Sequence, residues 1–201
     1  APAVDPAGTA VGCYQVQERF AAGGMCQVYR AQHRHLGYEC AMKVPFAPGS
    51  AEDQRRMRRE AQLGAMVDHP NVVKVLDLGQ LPDGRPFLVM ELLAGPSLRQ
   101  VLADGKLAPA RACRLAAQAA AGLLALHRQD IVHRDIKPRN LLVVPDAADP
   151  HGERLKLIDL GLAKRPGDRE DCEVSLPGVV LGTPDYMAPE QLRGEEADAR
   201  T

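Results

Sequence analysis

No sign of charge dominates this chain. Its 201 residues carry 25 Lys or Arg against 26 Asp or Glu, a formal net charge of −1, so the balance gives no electrostatic footprint of a nucleic-acid or anionic-membrane binder. Any phosphate it binds must be held locally. A paired-cysteine signature is missing too. The five cysteines (Cys13, Cys26, Cys40, Cys113 and Cys172) are odd in number, widely spaced and form no C-x-x-C, which favours a reducing compartment and speaks against a zinc site. No apolar run reaches the length of a membrane span, no charged-then-apolar leader opens the chain, and no repeat of about 20 to 50 residues is visible. The expected setting is cytoplasmic, alone or as the cytosolic part of a longer, membrane-anchored protein. What the chain does have is 45% hydrophobic content, at a length that buries one sizeable core or two small lobes.

The two ends read as parts of something longer. Residues 1–13 open with APAVDPAGTAVG, a Pro/Ala/Gly-rich stretch expected to be a flexible lead-in or linker. The far end, RGEEADART, stops in charged residues without a closing signal. Between them, Tyr14 to Phe20, Gln27 to Gln32 and Tyr38 to Phe46 alternate as short strands. A helix is expected from near Ala51 to before His69, with Met57, Leu63 and Val67 as a partial apolar stripe. Val72 to Leu78 and Pro86 to Leu92 read as two further strands, joined by the turn residues Pro82, Asp83 and Gly84. After Gly95 and Pro96 the texture becomes helical. Ser97 to Ala103 is a short helix, and Pro109 to Arg128 a long one with proline near its start. Gly161 to Pro189 has little periodicity and is expected to be irregular.

Phe20 to Tyr29, FAAGGMCQVY, fits a phosphate-cradling glycine loop poorly, because Ala21 and Cys26 stand where its first and third glycines belong. Alone, a match this degenerate is usually a hairpin turn. IVHRDIKPRNLLV is more specific. It sets His, Arg, Asp, Lys and Asn within eight positions between apolar runs, which is costly unless those groups are paired or bind something. It matches H-R-D-x-x-x-x-N. Asp159-Leu160-Gly161 and Ala188-Pro189-Glu190 follow in order.

On these motifs the chain resembles a serine/threonine protein kinase catalytic domain of the bacterial type, from Tyr14 to the last residue. The resemblance implies an α+β, two-lobed protein-kinase-like fold. Its N-lobe, residues 14–93, would be an antiparallel sheet plus one helix, and its C-lobe, residues 94–201, mainly helical and incomplete. It implies ATP and Mg2+ as cofactors and protein Ser/Thr hydroxyls as substrates, with autophosphorylation, no nucleic acid and no membrane contact within the chain. Phosphoryl transfer needs positioned phosphates, neutralised charge and an in-line hydroxyl. The resemblance gives Lys43 the α- and β-phosphates and Glu60 the ion pair that holds Lys43. It gives Asp135 the substrate hydroxyl proton, Lys137 the γ-phosphate charge, and Asn140 and Asp159 the magnesium. Ala21, Ala22, Gly23, Gly24 and Met25 would cover the phosphates. Val28, Ala41 and Leu142 would enclose the adenine, Met90 would guard the pocket behind it, and backbone groups of Glu91 and Leu93 would bond its edge.

Lys137 and Thr183 follow the serine/threonine pattern. Ser175 is the expected autophosphorylation site, with Arg134 as the phosphate's partner, and Glu190 completes the activation segment. His33 and His35 read as a surface turn. Two departures stand out. Leu160 replaces the usual phenylalanine, and Gly64 follows Glu60 by one turn at a cost of about 1 kcal/mol in helix propensity. Two other functions stay open at this point: a pseudokinase-like module that binds a nucleotide or a partner without transfer, and a small-molecule kinase, the latter disfavoured by GTPDYMAPE.

Overall fold

The computed structural model describes residues 5–23, 26–47, 51–161, 163, 184–195 and 197–201. Its chain divides into two compact units. The first comprises residues 1–65 and 73–93, the second residues 66–72 and 94–201.

The first unit is built on an antiparallel sheet. Its strands are β1 (Ala10–Val11), β2 (Tyr14–Ala22), β3 (Cys26–His33), β4 (Glu39–Pro45), β5 (Val75–Gln80) and β6 (Pro86–Glu91), in spatial order β1-β2-β3-β4-β6-β5. Period-two patterning fixes the register. In β3, Gln27, Tyr29 and Ala31 are buried while Cys26, Val28 and Arg30 are half-buried. Tyr29 and Ala31 join Tyr14, Val16, Cys40, Met42, Val44, Phe87 and Val89 in one core. The other face carries Leu88, against which helix α1 (Ala51–Ala65) packs Met57 and Ala61, with Cys26, Val75, Leu78 and Met90 around them. The Leu81–Arg85 turn holds a fully buried guanidinium. Arg85 pairs with Asp83 at 2.8 Å and donates to the Pro45 carbonyl at 3.0 Å, so its charge is compensated where burial would otherwise be expensive.

The sheet begins earlier than expected. Gly12, at φ +55°, turns the chain so that Ala10–Val11 pairs with Tyr14–Gln15, and Val11 is buried. Val16 exchanges backbone bonds with the same stretch, accepting from Gly8 and donating to Thr9. Residues 8–13 therefore belong to the fold rather than to a loose lead-in. A second difference lies at Val72, expected to open a strand. It bridges Leu157 within the second unit instead, and β5 starts at Val75.

The second unit holds helices α2 (Leu98–Ala103) and α3 (Pro109–His127), the hairpin β7 (Leu141–Pro145) and β8 (Glu153–Leu157), and a short helix α4 (Pro189–Leu192). Ser97 caps α2 in a reciprocal box with Gln100, which satisfies two otherwise orphaned N–H groups. The HPNVV segment is stitched to the hairpin. Asn71 donates its side-chain N–H to the Leu155 carbonyl at 2.7 Å, and its own carbonyl accepts from Leu157 at 2.8 Å. Gly122 of α3 makes room for this, since a Cβ there would lie 2.9 Å from the Asn71 carbonyl oxygen. Arg111 and Glu153 add a two-pronged ion pair between α3 and β8. On α3, Leu115, Gly122 and Leu126 are buried, whereas Leu124 is 50% exposed beside exposed Cys113, Ala116, Ala117 and Ala120.

Candidate active site

In the first unit the expected residues share one sheet face because they stand opposite one another in the ladders. Ala21 faces Val28, Val28 faces Lys43 and Lys43 faces Leu88, while in the next row Arg30 faces Ala41 and Ala41 faces Met90. Lys43 reaches up to α1. Its Nζ lies 2.8 Å from Glu60 Oε1 and 2.9 Å from Oε2, with the two side chains 15% and 8% exposed. Glu60 is buried on the same helix face as Met57 and Ala61, which turn it inward. At the end of β6, the Glu91 N–H donates to the Lys74 carbonyl at 3.0 Å and its carboxylate accepts the Lys74 N–H at 2.8 Å. Leu93, two residues on, is half-buried.

Gly23 closes the β2–β3 connection by donating to the Cys26 carbonyl at 2.8 Å, and Ala21, Ala22 and Gly23 are exposed. Among the described residues, the non-glycine positions with positive φ are Asp130, Arg134 and Asp159. Ala21 and Cys26 therefore sit in ordinary strand conformation, and the missing glycines cause no backbone strain. Gly24, Met25, Cys172, Ser175 and Thr183 lie outside the described residues.

The second unit gathers the other set. Asp135 is held by two side chains: Lys137 Nζ lies 2.9 Å from Oδ1 and 2.8 Å from Oδ2, and Asn140 Nδ2 donates to Oδ2 at 2.8 Å and to the Asp135 main-chain oxygen at 2.9 Å. Both carboxylate oxygens are thus oriented by side chains of the same loop. His133, buried, accepts the Asp135 N–H through Nδ1 at 3.3 Å. Burial lowers its pKa, so the ring is a neutral acceptor at physiological pH. Sequence reasoning quoted this histidine without giving it a role.

Asn140 is buried at the end of a single 3-10 turn, Pro138–Asn140, and its carbonyl accepts the Ile158 N–H at 2.9 Å. That bond sets Asn140 beside the segment carrying Asp159. With its Nδ2 turned to Asp135, Asn140 presents an amide oxygen and Asp159 a carboxylate, the hard oxygen donors that suit Mg2+. Asp159 has φ +66° and Arg134 φ +65°, conformations that cost about 1 to 3 kcal/mol and are kept where the surroundings over-determine them. Leu142, on β7 next to Asn140, is half-buried. Glu190 is the second residue of α4, its main-chain oxygen accepting from Glu195 at 2.9 Å.

The protein kinase domain family model matches residues 14–201. The serine/threonine-protein kinase pkn2 of Myxococcus xanthus is 40% identical over 195 residues, 94% of this chain and 23% of its own length. PknB of Mycolicibacterium smegmatis is 37% identical over 194 residues, again 94% of this chain and 30% of its own length. The DNA damage-responsive kinase RqkA of Deinococcus radiodurans is 40% identical over 193 residues, 28% of its own length. The chain thus spans about a quarter to a third of the length of these relatives. With the Lys43–Glu60 pair, the oriented Asp135 and a family match over nearly its whole length, the chain belongs to the protein kinase domain family, among the serine/threonine kinases of bacterial type.

Proposed function

We propose that this domain transfers the γ-phosphoryl group of ATP to serine or threonine hydroxyls of proteins. The observation that carries the reading is the carboxylate of Asp135, fixed by Lys137 and Asn140. Such a group accepts or orients the proton of an attacking hydroxyl, a contribution of about 10² to 10⁴ in rate. Lys137, paired with Asp135, would shift its charge to the phosphoryl oxygens as they gain charge. Lys43, positioned by Glu60, binds the α- and β-phosphates. Val28, Ala41, Met90 and Leu142 supply apolar surface for a nucleobase. The Glu91 N–H is engaged by Lys74, so any bond from Glu91 to the base comes from its carbonyl, with Leu93 the other backbone contributor. Asn140 and Asp159 would hold magnesium, which when bound would neutralise phosphate charge. The Gly23–Gly24 loop would cover the phosphates, with the Gly23 N–H itself engaged by the Cys26 carbonyl.

Autophosphorylation at Ser175 belongs to the same reading, with Arg134 receiving the new charge. Phosphopeptide mapping after incubation with ATP and Mg2+ should find that serine modified; an unmodified Ser175 removes this part. The main test uses radiolabelled ATP and a generic basic protein, comparing the natural protein with Asp135→Asn. Transfer lost by two or more orders of magnitude with folding intact is expected. Equal rates would refute the assignment and favour a nucleotide-binding module.

A further inference from the structure

Gln191, the residue after Glu190, has an amide engaged at both ends. Its Nε2 donates to the main-chain oxygen of Arg134 at 2.8 Å, and its Oε1 accepts the N–H of Ala188 at 3.1 Å. The two partners have opposite polarity, so the amide orientation is fixed. A primary amide is the side-chain group that meets both; an ionised Glu only accepts and a Met does neither. The acceptor is not an ordinary peptide. Arg134 is left-handed at φ +65°, and its carbonyl belongs to the peptide unit leading into Asp135. Its torsion sets the direction in which Asp135 leaves the chain.

We infer that Gln191 is a positioning residue for phosphoryl transfer: by pinning the Arg134 carbonyl it keeps Asp135 aimed, and it ties that aim to the placement of Pro189–Leu192. The inference rests on the assignment of Asp135 to the substrate hydroxyl. It is a coupling device as well as a brace, because whatever displaces α4 draws the amide away from Arg134. Asp135 has further restraints in Lys137, Asn140 and His133, so losing one of several gives a partial defect. The bond is also solvent-accessible, which limits its worth.

The test is steady-state kinetics of the natural full-length protein with ATP and a serine peptide, for wild type, Gln191→Glu, Gln191→Met and Asp135→Asn. Both Gln191 variants keep the side-chain length and remove the donor. A kcat lowered about threefold to tenfold, with KM for ATP within twofold of wild type and melting unchanged, supports the inference. Wild-type kcat in either variant, a change confined to KM for the peptide, or a kcat loss that follows loss of folded protein overturns it. The Asp135→Asn arm separates the two levels: if it transfers at the wild-type rate, the assignment of Asp135 fails first.

Discussion

One ammonium and two carboxylate oxygens meet between Lys43 and Glu60, at 2.8 and 2.9 Å, in a largely buried setting. Removing one side of such a pair leaves the other charge poorly compensated, at about 3 to 5 kcal/mol. Glu60→Ala should therefore lower unfolding free energy by about that amount in urea titration and raise KM for ATP, while Glu60→Gln, which keeps one acceptor, should do less of both.

Gly95→Ala should be poorly tolerated. A Cβ at this position would land on the carbonyl oxygen of Val143, which is backbone of a paired strand and has no rotamer to yield. An overpacking loss of about 1 to 3 kcal/mol is expected, read as a lower denaturant midpoint. A variant as stable as wild type would mean that the Gly95 segment can lift away from β7 without cost.

Restoring the two missing glycines should not improve ATP binding. Ala21 and Cys26 occupy strand conformation, so Ala21→Gly and Cys26→Gly release no strain and each costs about 0.5 to 1 kcal/mol in conformational entropy. The apparent KM for ATP should stay within twofold; a marked fall would show that the loop needs angles which alanine and cysteine resist.

Mild acidification should destabilise the domain through a histidine. Burial, with Arg154 and Arg128 nearby, lowers the pKa of His69 from 6.5, so the unfolded chain takes up a proton that the folded one refuses. Stability is full above about pH 6.5 and declines as pH falls below it. Burial moves His133 the same way, so His69→Gln should reduce the slope between about pH 7.5 and 5.5 without removing it. An unchanged slope would show that His69 contributes nothing.

How much of this was legible beforehand follows from the range of the forces involved. Strands β2, β3, β4 and β6 and helices α1, α2 and α3 were readable to within a few residues, because local patterning and turn chemistry specify them. Lys43, Asp135, Asn140 and Asp159 were singled out through the family resemblance that the H-R-D-x-x-x-x-N and Asp159-Leu160-Gly161 motifs carry, and the structure sets Lys43 against Glu60 and Asn140 against Asp135. The pairing of Ala10–Val11 was not, because a proline- and glycine-rich stretch gives no period and its strand exists through partners across a turn. Asn71 and Gln191 were also opaque: each satisfies backbone groups far along the chain, Gln191 at a separation of 57 residues, and an isolated amide carries no signal of where it will bond. The doubt over Ala21 and Cys26 came from a template that prescribes residue types, whereas the backbone angle decides.

The excursion of residues 66–72 has a consequence for how such domains can be recombined. A breakpoint at Leu93 and Ala94 looks like the natural seam by chain order, yet it assigns Asn71 to the wrong parent. A chimaera cut there inherits its β7–β8 hairpin from one source and the side chain that fastens Leu155 and Leu157 from the other. Successful exchanges would have to carry the seven residues 66–72 along with the second half, so the heritable module is discontinuous in sequence.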